Sequence, residues 1–132
     1  MSKIFNLTEA ASIALHSIVL IAQSKDGLNV IKIAELTSSS KHHVAKVLQR
    51  LVKEDFLTSN RGPHGGFALK KKPENITLLN VYEAIEGVIQ INECPLNYPN
   101  CPFGECLIGN ITSKMTLDFR DFMATRTIDK YL

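Results

Sequence analysis

The chain has 132 residues, 45% of them hydrophobic, with 15 basic against 13 acidic side chains and a formal net charge of +2. That length supports one compact core, or one small domain plus a long element that needs a partner, and no apolar run is long enough to span a bilayer. The apolar-rich stretch 11–22 is broken by His16 and Ser17 and no cleavage-like site follows it, so it reads as a buried helix and not a signal peptide, with the cytoplasm as the expected location.

The small net charge conceals an uneven distribution. Residues 41–72 carry eight Lys or Arg against Glu54 and Asp55 and hold three of the four histidines, whereas residues 73–132 carry eight acids against four bases. A basic middle followed by an acidic tail suits a polyanion contact on one face.

In chain order, Thr8 is a candidate N-cap for a first helix whose apolar positions run Ala10, Ala11, Ile13, Ala14, Leu15, Ile18, Val19 and Ala22, stopping near Ser24. Lys25-Asp26-Gly27 makes a turn. A short apolar segment from Val30 to Leu36 then reads as a second helix ending at Thr37-Ser38-Ser39, and Ser40 caps a third that runs to about Glu54 with Val44, Val47, Leu48, Leu51 and Val52 inward. Short helix, tight polar turn and longer helix make a helix-turn-helix. Ser40, Lys41, His42, His43 and Lys46 crowd the start of the third helix and Arg50 extends its polar face, which is where a recognition helix reaches bases and phosphates.

Phe56–Ser59 reads as a strand and Gly66–Leu69 as its returning partner, joined by a turn rich in glycine and proline. Placed directly after a candidate recognition helix, this hairpin reads as the wing of a winged helix, although the same turn taken alone would be an ordinary hairpin. Arg61 is the candidate for a minor groove, and Gly62, Pro63, His64 and Gly65 allow close backbone approach to phosphate.

All three cysteines, Cys94, Cys101 and Cys106, fall in the segment ECPLNYPNCPFGEC, among Pro95, Pro99, Pro102 and Gly104. An odd number of thiols in a loop held out of helix by proline points to a soft-metal site one ligand short. After Cys106, a helical segment carries Ile111, Met115, Phe119, Phe122 and Met123 at spacings of three and four, an apolar stripe that suits either its own domain or a partner helix.

The segment IAELTSSSKHHVAKVLQRLVKEDFLTSNRGPHGGFAL, followed by PENITLLNVYEAIEG and the clustered cysteines, resembles the bacterial winged-helix regulators of the iron-sulfur family that includes IscR and NsrR. The similarity runs from about Leu7 to the C-terminus; His64 departs from the small residue usual in that wing. The resemblance implies a mainly α fold with a small β-wing: a winged helix-turn-helix over 1–90, a cluster-binding loop over 91–107 and a dimerisation helix with C-terminal tail over 108–132. It implies a homodimer on a palindromic double-stranded DNA operator and an iron-sulfur cluster, 4Fe-4S or 2Fe-2S, on Cys94, Cys101 and Cys106. The second cysteine gap holds four residues where the family more often has five, which bears on cluster type.

In relatives like IscR the fourth ligand is a histidine three residues after the last cysteine; that position here is Gly109. In relatives like NsrR an aspartate near the start of the first helix reaches across from the other subunit, and the matching residue is Glu9. A carboxylate is a hard ligand beside three thiolates, easily displaced, which suits a sensor; an acid in a first helical turn also favours the macrodipole with no metal at all. His16, two turns on, is a further ligand or supporting residue, or a packed side chain. The expected function is a DNA-binding transcriptional regulator, a repressor, switched by a cluster that responds to nitric oxide, redox state or iron supply. A zinc site or thiol switch on the same loop, or an iron-sulfur electron carrier, are the alternatives. No paired acid and base, activated serine or phosphate-binding glycine loop points to an enzyme.

Overall fold

The computed structural model describes residues 5–62, 65–91 and 101–132. The first helix, α1 (Glu9–Gln23), begins where Thr8 adopts an extended conformation and its hydroxyl accepts the Ala11 N–H at 3.1 Å. Ser24 ends it, as the sequence indicates. Ala11, Ile13, Ala14, Ile18 and Ile21 are buried along its length, so α1 is the central element of the core.

Asn29 caps α2 (Val30–Thr37), accepting the Lys32 N–H at 2.8 Å. The helix closes at Ser38, in the left-handed region at φ 52°. Ser39 then returns its N–H to the Ala34 carbonyl at 3.0 Å, satisfying a carbonyl that the helix end leaves open. Ser40 caps α3 (Lys41–Lys53) by accepting the His43 N–H at 3.1 Å. Val44, Val47, Leu48 and Leu51 face inward, joining Ile33 and Ala34 of α2 and Ile13 and Ile18 of α1 in one cluster.

Asp55, at φ 68°, turns the chain out of α3. Strand β1 (Leu57–Asn60) pairs antiparallel with β2 (Gly66–Leu69), from Leu57 opposite Leu69 to Asn60 opposite Gly66. The sequence places the start of the first strand one residue earlier. Phe56 is instead a buried residue just outside the ladder, and its carbonyl accepts the Lys70 N–H at 2.9 Å.

Thr77 and Asn80 form a reciprocal capping box at the start of α4 (Leu78–Glu86), so two N–H groups at the helix start are satisfied together. Gly87, at φ 88°, ends it. The last helix, α5 (Ile111–Thr125), packs on α4. The tail then turns back. Leu78 donates its N–H to Arg126 and Ile128 donates to Ile76, each at 2.9 Å, and the fully buried Ile76 and Ile128 enter the core together. Gln23 of α1 donates from its side chain to the Tyr131 carbonyl at 2.8 Å. The tail after α5 is thus fastened to the same core as the helix-turn-helix. Among the described residues no helix is long and apolar enough to cross a membrane.

Candidate nucleic-acid interface and cysteine loop

Burying one face of α3 decides what its other face presents. His42, Lys46, Gln49 and Lys53 recur at three- and four-residue spacing opposite the buried valines and leucines, and all are exposed, as are Lys41 and Arg50. Ser40, the cap, is also exposed, so the N-terminal end of α3 is an open surface of hydroxyl, imidazole and ammonium groups. His43 is different. It is half-buried on the side toward α1, and its Nδ1 lies 3.4 Å from Glu9 Oε1. The structure therefore separates two neighbouring histidines that the sequence treats alike.

The turn of the wing depends on glycine where backbones approach closely. A Cβ on Gly65 would lie 2.6 Å from the Asn60 carbonyl oxygen and 2.8 Å from that of Gly62. Its N–H donates to Gly62 at 2.8 Å, closing the turn. Arg61 is exposed where β1 ends; Pro63 and His64 lie outside the described residues. At the wing's base, Leu28 and Phe67 exchange backbone hydrogen bonds of 3.1 and 2.7 Å. Leu28 is in effect a third strand of one residue, which the sequence signals did not reveal because one apolar residue in a turn has no period.

Helix, turn, helix and wing in this arrangement are a winged helix. A family model described as "Iron-dependent Transcriptional regulator", Rrf2, matches residues 7–132. The chain belongs to the Rrf2 family. The HTH-type transcriptional regulator NsrR of Bacillus subtilis is 33% identical over 90 residues, which are 67% of this chain and 62% of that protein. Among solved structures, CymR, the global cysteine regulator of B. subtilis, superposes with a TM-score of 0.73 at 17% identity, over 96% of this chain and 95% of its own. IscR of T. potens also gives 0.73, at 16% identity over 95% of this chain and 84% of its own. These two likenesses speak to fold. This Rrf2 chain is accordingly a winged-helix, DNA-binding transcriptional regulator, as its family is.

Two of the three thiols of this Rrf2 chain are described. Cys101 is exposed and Cys106 half-buried; Cys94 lies outside the described residues. Cys106 sits at the tight turn that leads into α5, where Gly109 donates its N–H to the Cys106 carbonyl at 3.0 Å. Above all the Asn110 N–H, then those of Ile108 and Gly109, bear on its sulfur and hold the thiol below its usual pKa, against a smaller opposing effect of burial. Backbone N–H groups converging at a helix start favour an anion, here a thiolate. Around it the loop is apolar and open: Phe103 is 54% and Leu107 74% exposed.

The donors fit an iron-sulfur cluster in kind, three thiols in one loop with one already drawn toward thiolate. Among the described residues no three ligating side chains converge. Glu9 is exposed in the first turn of α1, with its Oε1 beside His43 Nδ1.

The stripe on α5 divides. Met123 is buried, and Phe119 sits between Phe5, tilted to it, and Tyr82, edge-on to it, with ring centroids 5.1 and 5.2 Å away. Burial raises the Tyr82 hydroxyl above its usual pKa, with Glu86 adding to the shift. Ile111, Met115 and Phe122 stay exposed. Beside them a groove of about 650 Å³ runs between α1 and α5, lined by Leu15, His16, Val19, Leu36, Phe119 and Met123. His16 Nδ1 contacts its own helix at the Ser12 carbonyl, 2.7 Å away.

Proposed function

We propose that this Rrf2 protein is a homodimeric repressor that binds a palindromic operator, and that its operator affinity follows the state of an iron-sulfur cluster on Cys94, Cys101 and Cys106, with Glu9 of the partner subunit as fourth ligand. The observation that carries the reading is the thiol loop itself. Cys106 lies beside backbone N–H groups at the foot of α5, among the described residues Cys101 is exposed and Cys106 half-buried, and exposed apolar side chains, Phe103 and Leu107, lie next to them in the loop. In this reading Ile111, Met115, Phe119 and Phe122 form the subunit seam, with Phe119 contributing one edge of its ring while the rest packs against Phe5 and Tyr82.

The cluster would supply a bond network that is broken by nitric oxide, oxidants or iron shortage. The chain's own residues do the rest. Cys101 and Cys106 tie the loop to the foot of α5, Glu9 ties it to α1, and α1 carries α3 through their shared core. Bound thiols fix the separation of the two reading heads; released thiols let it relax. Altering operator occupancy tenfold requires only about 1.4 kcal/mol of difference between the two states. Lys41, His42, Lys46 and Arg50 would meet the major groove, and Arg61 with the Gly62–Gly65 turn the minor groove.

A second reading has its own support, because a depressed Cys106 pKa also suits a thiol that reacts without metal. The two separate in one experiment. Protein purified without oxygen is assayed for iron, acid-labile sulfide and zinc, and its visible spectrum is followed on adding nitric oxide. Iron with matching sulfide and a spectrum bleached by nitric oxide supports the cluster; a colourless protein that takes up none on reconstitution, or one holding zinc, overturns it.

A further inference from the structure

We infer that His43 is a positioning residue that couples Glu9 to the DNA-reading helix, so that one carboxylate is shared between the recognition helix and the cluster. The inference rests on the reading of Glu9 as fourth ligand. Its basis is geometric: Glu9 lies in the first turn of α1 and His43 in the first turn of α3, yet Oε1 and Nδ1 are 3.4 Å apart.

The Glu9 side chain is 68% exposed while that of His43 is 33% exposed. The imidazole is half-buried beside the first turn of α1 and the carboxylate is open to solvent. A carboxylate has two oxygens, so with Oε1 on His43 the other remains available to a ligand arriving from outside. Groups that hydrogen-bond a ligating carboxylate orient it and strengthen the site. The neighbouring residue makes a parallel connection: Thr8, the N-cap of α1, donates its hydroxyl to Glu86 in the last turn of α4, immediately before Gly87 releases the chain toward the cysteine loop. The first turn of α1 is thus fastened to the exit of α4 by one residue and to the entrance of α3 by the next.

The consequence for DNA binding follows from where His43 sits. Its N–H is the one that Ser40 caps, and it lies between His42 and Lys46 on the turn that would enter the groove. A carboxylate pulled toward the cluster draws on that turn; a released carboxylate lets it go. By linkage, cluster occupancy and DNA binding must then change each other by the same factor, and His43 transmits part of that factor.

The test uses full-length wild type, His43→Ala and His43→Asn, whose amide nitrogen stands near the place of Nδ1. Two quantities are read: the rate at which EDTA bleaches the cluster's visible absorption, and the ratio of affinities of cluster-loaded and apoprotein for DNA that the wild type selects from a random-sequence pool. Circular dichroism checks the fold of each variant. For His43→Ala the expected result is bleaching about tenfold faster and an affinity ratio moved toward one, with both substantially restored in His43→Asn. Wild-type bleaching and ratio in a folded His43→Ala protein would overturn the coupling while leaving the cluster reading intact. A His43→Ala protein weakened equally in both forms would overturn it too, making His43 a plain DNA contact. Wild type that takes up no cluster defeats the cluster reading itself, and the coupling with it.

Discussion

Leu28 and Phe67 exchange two backbone hydrogen bonds, of 3.1 and 2.7 Å, and so fasten the wing to the turn between α1 and α2. A two-stranded hairpin alone is marginal in water; this bridge joins the wing to the helix-turn-helix as a single reading surface. Gly66 permits it. A Cβ there would stand 2.7 Å from the Leu28 carbonyl oxygen and 2.9 Å from its carbon, and backbone cannot step aside as a flexible side chain can.

Gly66→Ala is therefore expected to destabilise the chain by at least about 1 kcal/mol and to weaken DNA binding by disturbing the wing. Urea denaturation and DNA titration on the same preparation check this. Unchanged values in both would remove the bridge from any part in holding the wing.

In the proposed docking, the exposed cations of α3 and the wing meet the polyanion. Lys46→Ala and Arg61→Ala should each lower DNA affinity and reduce the slope of log affinity against log salt by about one, measured by fluorescence anisotropy over a salt series. If both variants keep the wild-type slope, the proposed docking face is wrong.

Phe122 is half exposed on α5, with the Arg126 guanidinium 4.7 Å from its ring centroid. Phe122→Glu would place a carboxylate in the proposed subunit seam and should shift the protein from dimer to monomer in analytical ultracentrifugation. A dimer of wild-type strength would move the seam elsewhere.

Ile128 is fully buried after the last long helix. Removing its side chain beyond Cβ leaves a cavity between the tail and Ile76, so Ile128→Ala should lose about 2–5 kcal/mol of stability, read from the denaturant midpoint. A loss below about 1 kcal/mol would mean that the tail is dispensable to this core.

The Cys106 thiol is held low chiefly by the Asn110 N–H, then by those of Ile108 and Gly109. Its alkylation by iodoacetamide, followed by mass spectrometry, should have a lower pH midpoint in the folded chain than in urea. The sign for stability follows: a pKa depressed on folding stabilises above the unfolded value of about 8.5, and this contribution is lost as pH falls through the folded value. Identical midpoints in the two states would argue against this effect of the N–H groups.

Much of the architecture is legible in the sequence. Thr8, Ser40 and the apolar spacing of α1 and α3 act within a few residues of themselves, so their caps and faces emerge from the sequence as they stand in the fold. The glycine-rich hairpin was legible for the same reason, to within one residue at Phe56. The division of the α5 stripe was not. Spacing puts Phe119, Phe122 and Met123 on related faces, but only the positions of Phe5 and Tyr82 decide that Phe119 is packed between rings and Phe122 left open.

The sequence by itself determined a winged helix-turn-helix with a basic reading face and a thiol-rich loop, because caps, turn glycines, helical periodicity and the crowding of cysteines are local properties of the chain. Tertiary structure alone decided that Glu9 meets His43, that Leu28 extends the wing and that Ile128 returns to Ile76. Each of these pairs residues distant in sequence, and whether such groups meet depends on how the helices pack around α1, which no local pattern encodes.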